Sequence, residues 1–387
     1  MERLHAVQAV VRRHAAHARG DLGPAGAPVA VPDVVGRPEV AAMRPATSAE
    51  IRDWDELVLA NPDGGHILQT RSWGEFKRRW GWQPHYFIAD SGRGHVATLF
   101  LTRRVPGAGT LWYSPKGPGI AKPDELCDIL RDPEGFDRGF LVKLDPEIDA
   151  AADTSPWRSA GMQKAPTEVQ NSTATILVDL RGEEDGIIAS FKPKCRYNIR
   201  LAARRGVVVH RLPVTDATID VMYRLMRETQ VRAGFMLRPP RYFADYWRLQ
   251  HAAGQGEFYF ATLGHEVLAG CFATHFGHKG WYKDGGSSRR HHELMAPYLL
   301  QWEVMRSLRE RGVQTYDLVA VPPAAELDPS HPFYGLYRFK SGFNDRITEF
   351  VGTWDWPLRR RRYRWWTQVG ERLARQWTYR VHHDFFY

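Results

Sequence analysis

One pattern occurs twice in this chain: two apolar strands, each closed by a tight turn, then a short aromatic strand and a glycine-rich loop. In the first copy the strands are Tyr86–Ala89, Val96–Thr102 and Thr110–Tyr113, the turns are Asp90–Gly94 and Pro106–Gly109, and the loop is Ser114-Pro115-Lys116-Gly117-Pro118. In the second, strands Phe258–Ala261, Val267–Phe276 and Trp281–Lys283 are separated by turns at Leu263–Glu266 and Gly277–Gly280, and the loop is Asp284-Gly285-Gly286-Ser287-Ser288. Runs of β-branched and aromatic residues mark strands, and Gly, Pro and Asp clusters mark turns. A helix follows each copy, Pro123–Leu130 and then Leu294–Arg311, the latter carrying Leu294, Tyr298, Trp302, Met305 and Leu308 on one side. A further strand, Gln314–Val319, comes after it. The repetition predicts an α/β chain with mixed sheets, built from a duplicated unit. The halves are expected at residues 43–180 and 181–357.

The flanks differ from this body. Residues 1–42 hold ten Ala, four Pro and no aromatic side chain; the first aromatic is Trp54. Such a segment buries little apolar area and is expected to be disordered. It lacks the continuous apolar stretch of a signal peptide, and Met43 is a second candidate for the start of translation. Order is expected from Thr47-Ser48-Ala49-Glu50, a capping box, with Ile51, Trp54, Leu57 and Val58 following at helical spacing. An aromatic-rich helix is expected over 71–80. No apolar run approaches the roughly 20 residues that cross a bilayer. Cys127, Cys195 and Cys271 are too few and too scattered for a disulfide or zinc framework, so a reducing, cytoplasmic setting is expected.

The net charge of +9 favours an anionic partner. Eight arginines against Glu371 and Asp384 place +6 of it in residues 358–387. Within that tail Trp366, Val369, Leu373 and Trp377 fall on one face of a helix, surrounded by Arg359–Arg362, Arg364, Arg372 and Arg375. Three readings fit: a helix lying on an anionic membrane, one gripping an RNA backbone, or one packed on the body with its arginines solvated. A second basic helix is expected over 191–207, closed by Gly206.

Walker, G-x-G-x-x-G, G-x-S-x-G and H-E-x-x-H signatures are absent. His291 and His292 are adjacent, so a helix points them apart, and no metal site is expected. Basic and phenolic groups in turn-rich contexts remain. Lys77 closes Trp73-Gly74-Glu75-Phe76-Lys77. Arg238 and Tyr242 flank two prolines, which fix the backbone between them; the planar guanidinium suits bidentate phosphate binding. Lys340 lies in Tyr337-Arg338-Phe339-Lys340-Ser341-Gly342-Phe343. A lysine in apolar surroundings is either a cation for a developing oxyanion or, with a lowered pKa, a base. Taken singly, each reads as a surface charge beside a core aromatic.

Together these strings, with Leu68–Lys77, Tyr113–Pro118 and Lys194-Cys195-Arg196-Tyr197-Asn198-Ile199-Arg200-Leu201-Ala202, resemble the FemABX family from about residue 44 to 357. Its members are aminoacyl-tRNA-dependent peptidyltransferases that build the interpeptide bridge of bacterial peptidoglycan. The resemblance implies two GNAT-like domains, here without a long coiled-coil arm. It implies that Lys77 and Arg238 contact the diphosphate of a nucleotide- or lipid-linked muropeptide, with Tyr242 beside them. It implies that Tyr282 lines the peptide channel, and that Lys340, backed by Phe339, sits where the aminoacyl ester is attacked. The nucleophile is then the acceptor's own amine and the leaving group the ribose hydroxyl of the tRNA. No covalent enzyme intermediate and no cofactor beyond the aminoacyl-tRNA co-substrate are required. Asp284 is a candidate proton acceptor. A monomer, touching the inner membrane face through the tail, is expected. The rival is an acetyl-CoA-dependent N-acetyltransferase, but the place for its pyrophosphate cradle reads Ser288–Pro297 and has no glycine beyond Gly286. A non-catalytic RNA- or membrane-binding protein would leave Arg238, Tyr242 and Lys340 unexplained.

Overall fold

The computed structural model describes residues 43–90, 94–130, 135–136, 138–170 and 173–387. The extension 1–42 and the centre of the turn expected at Asp90–Gly94 lie outside them. Strand β1 (Met43–Pro45) leads into helices α1 (Ser48–Arg52) and α2 (Trp54–Leu59). The capping box forms: the Glu50 amide donates to Thr47 Oγ1 at 3.3 Å, and the Thr47 amide donates to Glu50 Oε2 at 2.8 Å. Next come α3 (Arg71–Arg79), β2 (Gln83–Asp90), β3 (His95–Val105), β4 (Gly109–Ser114), α4 (Pro123–Ile129), β5 (Gly139–Leu144), α5 (Ser155–Ser159) and β6 (Gln163–Lys164).

The second half runs β7 (Ala174–Thr175), β8 (Leu177–Asp179), α6 (Glu184–Ser190), α7 (Pro193–Arg204), β9 (Val208–Leu212), α8 (Asp216–Ala233) and α9 (Pro240–Ala252). It continues through β10 (Gly256–Leu263), β11 (Glu266–Phe276), β12 (Lys279–Ser287), α10 (Ala296–Arg309), β13 (Thr315–Asp317), α11 (Tyr334–Lys340), β14 (Thr348–Glu349) and β15 (Trp354–Pro357). The tail forms α12 (Arg360–Trp365), a π-helical turn at Trp366–Gly370, and α13 (Glu371–His382).

The strands make a seven-stranded sheet, β1-β2-β3-β4-β5-β15-β6, a six-stranded sheet, β8-β13-β12-β11-β10-β9, and the pair β14-β7. The repeat is visible in the pairing. In each large sheet an antiparallel meander, β2–β4 or β10–β12, passes through a helix into a parallel neighbour, β5 or β13. The halves are not sealed off in sequence: β8 pairs within the second sheet, whereas β15 returns to the first beside β5. One apolar core is continuous between them, joining Trp54, Phe76 and Leu99 to Met222, Trp247 and Phe272.

Two expectations change. The glycine-rich stretch after Lys283 is not a loop; β12 runs through it to Ser287. Glycine is required there because α8 crosses the strand directly: a Cβ on Gly286 would lie 2.5 Å from the Leu225 carbonyl carbon. The tail helix is also not straight. The Glu371 amide bonds back to the Trp366 carbonyl, five residues earlier, so the π turn carries an extra residue. Trp366 thereby leaves the expected face and is fully buried against Phe140, with ring centroids 5.8 Å apart. Trp365 replaces it, leaving Trp365, Val369, Leu373 and Trp377 exposed.

Candidate active site

Two groups of the expected residues come together, on either side of the contact between the halves. The first begins with α3. Thr70 Oγ1 accepts from the Trp73 amide at 3.3 Å to start this helix, and Trp73, Phe76 and Lys77 turn inward. Arg238 precedes the two prolines that open α9, and Tyr242 sits in its first turn. The Tyr242 ring packs edge-on against Phe76 and Trp80, both at 4.9 Å. The Arg238 guanidinium lies 4.2 Å above the same ring.

Lys77 is only 4% exposed, and it makes no hydrogen bond or ion pair among the described residues. Its ammonium rests against the faces of Trp73 (5.4 Å) and Trp82 (5.7 Å). Burial, then the charges of Arg238 and Arg103, hold its pKa well below the usual lysine range. Arg103 was not anticipated. It stacks on Trp82 at 4.5 Å, donates to the Trp80 carbonyl at 2.7 Å, and is lowered to about 10 by burial. It sits on β3 beside Arg104, and nothing in the local sequence distinguishes the two. Three basic side chains thus converge on an aromatic-walled recess.

The second group forms at the end of α11. Lys340 is 4% exposed, and its Nζ donates to the carbonyls of Val319 (2.7 Å) and Ala320 (2.9 Å). Burial brings its pKa down to about 8, and the charge of Asp317 acts against that shift. The ammonium lies 5.8 Å from the centre of the Tyr282 ring. Val319 and Ala320 have φ of 57° and 22°, a region that β-branched and other L-residues avoid. The turn is held by Asp317, whose Oδ1 accepts from the Val319 amide at 2.6 Å and from the Thr175 hydroxyl. Burial raises the Asp317 pKa to about 6, and the charge of Glu147 adds to the rise. Glu147 lies 3.6 Å from both Lys116 and His66, so the Lys116 loop of the first half reaches electrostatically to the support of Lys340. The strand expected over Gln314–Val319 ends at Asp317, because Val319 already turns into the left-handed region, and nothing in the sequence marks Asp317, Val319 or Ala320 as a support for Lys340.

Phe339 faces away from Lys340. It packs on Tyr298 (4.9 Å) and Phe343 (5.6 Å), fixing α11 against α10. Asp284 accepts from Trp247 Nε1 at 2.8 Å and pairs with Lys283 at 3.5 Å. Lys283 in turn lies 5.2 Å from the Tyr246 ring centre. Burial raises the pKa values of Tyr242, Tyr246 and Tyr282, and the charge of Asp284 adds to each rise. Asp284 is therefore felt by both groups. Burial also pushes the Cys195 thiol up to about 12 and the Cys271 thiol upward, which leaves neither activated as a nucleophile.

The helix that would carry a coenzyme cradle, α10, opens with Met295 in the left-handed region and Pro297 in its first turn. Pro297 has no amide hydrogen to offer a pyrophosphate.

The fold is thus two similar α/β halves joined by a common core, with a basic recess and a buried lysine. The chain belongs to the FemAB family, whose profile matches residues 153–266 and 248–369. It is 21% identical over 409 residues to the lipid II:glycine glycyltransferase of Staphylococcus aureus (strain MRSA252), covering 84% of this chain and 95% of that one. It is 22% identical over 407 residues to the protein of the same name from Staphylococcus haemolyticus (strain JCSC1435), with the same coverages. Among solved structures, FemX superposes with a TM-score of 0.74 at 20% identity, covering 84% of this chain and all of that one.

Proposed function

We propose that this protein transfers an amino acid from aminoacyl-tRNA to the side-chain amine of a stem peptide on a lipid-linked peptidoglycan precursor, in interpeptide bridge synthesis. The observation that carries this reading is the hydrogen-bonding of Lys340. An ammonium has three donors. Two are fixed by the Val319 and Ala320 carbonyls, which leaves one oriented donor beside Tyr282. A preoriented cationic donor in a dry site is what a tetrahedral oxyanion needs.

In the reaction the acceptor amine attacks the ester carbonyl. A C–N bond forms, Lys340 donates to the oxyanion, and the C–O bond to the ribose breaks. The amine's proton passes to Asp284, which returns it to the ribose oxygen as that oxygen leaves. The high thiol pKa values of Cys195 and Cys271 favour this direct transfer over an acyl-enzyme. Lys77 and Arg238, with Arg103, hold the precursor's diphosphate, and Tyr242 supports Arg238. The names of the glycyltransferase relatives support both a lipid-linked acceptor and glycine as the amino acid to test first. The exposed stripe of Trp365, Val369, Leu373 and Trp377, flanked by the exposed Arg361, Arg364, Arg372 and Arg380, rests on an anionic membrane where such a precursor is found.

The test is incubation with charged tRNAs and either lipid-linked or nucleotide-linked precursor, followed by mass spectrometry of the muropeptide. A mass gain of one residue on the stem-peptide amine, dependent on charged tRNA, is expected. Acetylation from acetyl-CoA in its place would overturn the reading.

A further inference from the structure

The recess of Lys77, Arg103 and Arg238 is already filled, by the chain itself. Helix α13 ends at His382, and His383 adopts φ of 49°, which turns the backbone sharply. The next four residues run back into the recess. The Asp384 carboxylate accepts from Arg238 Nη1, and the Tyr387 carbonyl accepts from Arg238 Nη2. The Phe386 carbonyl accepts from Arg103 Nη1 at 2.5 Å. The Tyr387 ring stacks on Trp82 with centroids 6.0 Å apart and planes 27° apart, and its hydroxyl donates to Glu371 at 3.0 Å. Phe386 is buried between Trp82 and Trp366.

These contacts compete with the diphosphate for the same donors. Both terminal nitrogens of Arg238 are engaged by Asp384 and Tyr387, so a diphosphate that meets this edge of the guanidinium has to displace the segment from it. The segment makes no hydrogen bond or ion pair to Lys77 among the described residues, so it leaves one basic side chain of the recess unused. A diphosphate, with acceptor oxygens on two phosphorus centres, can engage all three.

We propose that residues 384–387 are an autoinhibitory occupant of the diphosphate recess, displaced when the precursor binds. The inference rests on the assignment of that recess to the diphosphate. Because only the open fraction of molecules is competent, the segment lowers the apparent affinity for the precursor in proportion to its closed population.

The experiment measures, by calorimetry, the binding of a nucleotide-linked muropeptide and of inorganic pyrophosphate to the full-length chain and to two variants. Asp384→Ala removes the ion pair while keeping Phe386 in the core, and Tyr387→Ala removes the stack on Trp82. At least one folded variant should bind both probes on the order of tenfold more tightly than the unaltered chain. Equal or weaker binding by every folded variant would mean that the segment is a wall of the site, and would overturn the proposal. Failure of the recess assignment looks different: no protein would bind either probe, and Arg238→Ala in the Asp384→Ala background would change nothing. That result would overturn the assignment, and the autoinhibition with it.

Discussion

Replacing Lys340 by Met separates the two roles a buried lysine can play. The substitution roughly keeps the length of the side chain and removes all three donors. Two of them serve the carbonyls of Val319 and Ala320, and the third is the one assigned to the oxyanion. Loss of an oxyanion donor costs about 10²–10³ in kcat, or about 2.7–4 kcal/mol in the barrier. KM for the precursor should change little, because the interaction is made in the transition state. The orphaned carbonyls cost stability as well, about 1–3 kcal/mol for each that water fails to reach, so the rate must be measured on protein shown to be folded.

The pH profile gives the sign. With its pKa near 8, Lys340 is a cation below that pH and neutral above it. A donor role predicts that kcat falls as pH rises through about 8, and that this descending limb disappears in Lys340→Met. A base role predicts the opposite slope. The stability profile is fixed independently. The folded pKa is below the free value of 10.5, so the unfolded chain binds more protons between about 8 and 10.5. Stability therefore rises with pH across that window in the unaltered chain, and the rise is absent from the variant. Equal kcat for variant and unaltered chain at saturating substrates would refute the assignment.

Arg238→Ala should raise KM for the precursor about 10- to 100-fold, the size of one or two charge-assisted hydrogen bonds, and Lys77→Ala about tenfold, with kcat nearly unchanged; steady-state kinetics decides. Asp284→Asn keeps an acceptor for Trp247 and should unfold within about 1 kcal/mol of the unaltered chain while losing about 10² in kcat as a proton acceptor; an unchanged kcat would make Asp284 purely structural. Asp284→Ala leaves the Trp247 indole N–H without its partner and should cost about 1–3 kcal/mol by denaturant unfolding. Leu373→Glu with Trp377→Glu should weaken cosedimentation with anionic vesicles at least about tenfold, since each apolar side chain contributes about 1.5–3 kcal/mol when fully buried; unaltered binding would remove α13 as a membrane contact.

The repeated meander was legible because alternating strands and tight turns are local signals, written residue by residue. The capping box at Thr47 and the left-handed Gly206 were legible for the same reason. What escaped depends on contacts between distant segments. Gly286 looks like part of a loop until α8 is known to lie on it, and only then does the missing Cβ become a packing requirement. Trp366 reads as a surface residue on an ideal helix, because its burial depends on a π turn that periodicity does not encode. The return of β15 to the first sheet cannot be inferred from its own four residues.

At the site, residue types were legible and partners were not. Motif resemblance named Lys77, Arg238, Tyr242, Tyr282 and Lys340, and the structure groups the first three in one place and the last two in another. It could not name Val319 and Ala320, since a backbone carbonyl has no residue type; what matters is a left-handed turn held by Asp317. Nor could it find Asp384. In sequence that residue is one acid at the end of a basic tail, and the tail reads as a partner for some external anion. In the fold the acid faces inward onto Arg238, so the arginine-rich segment contributes both an exposed cationic face and an internal anion. Net charge summed along a segment says nothing about which way each charge points, and in residues 358–387 Arg361, Arg364, Arg372 and Arg380 point outward while Asp384 points inward.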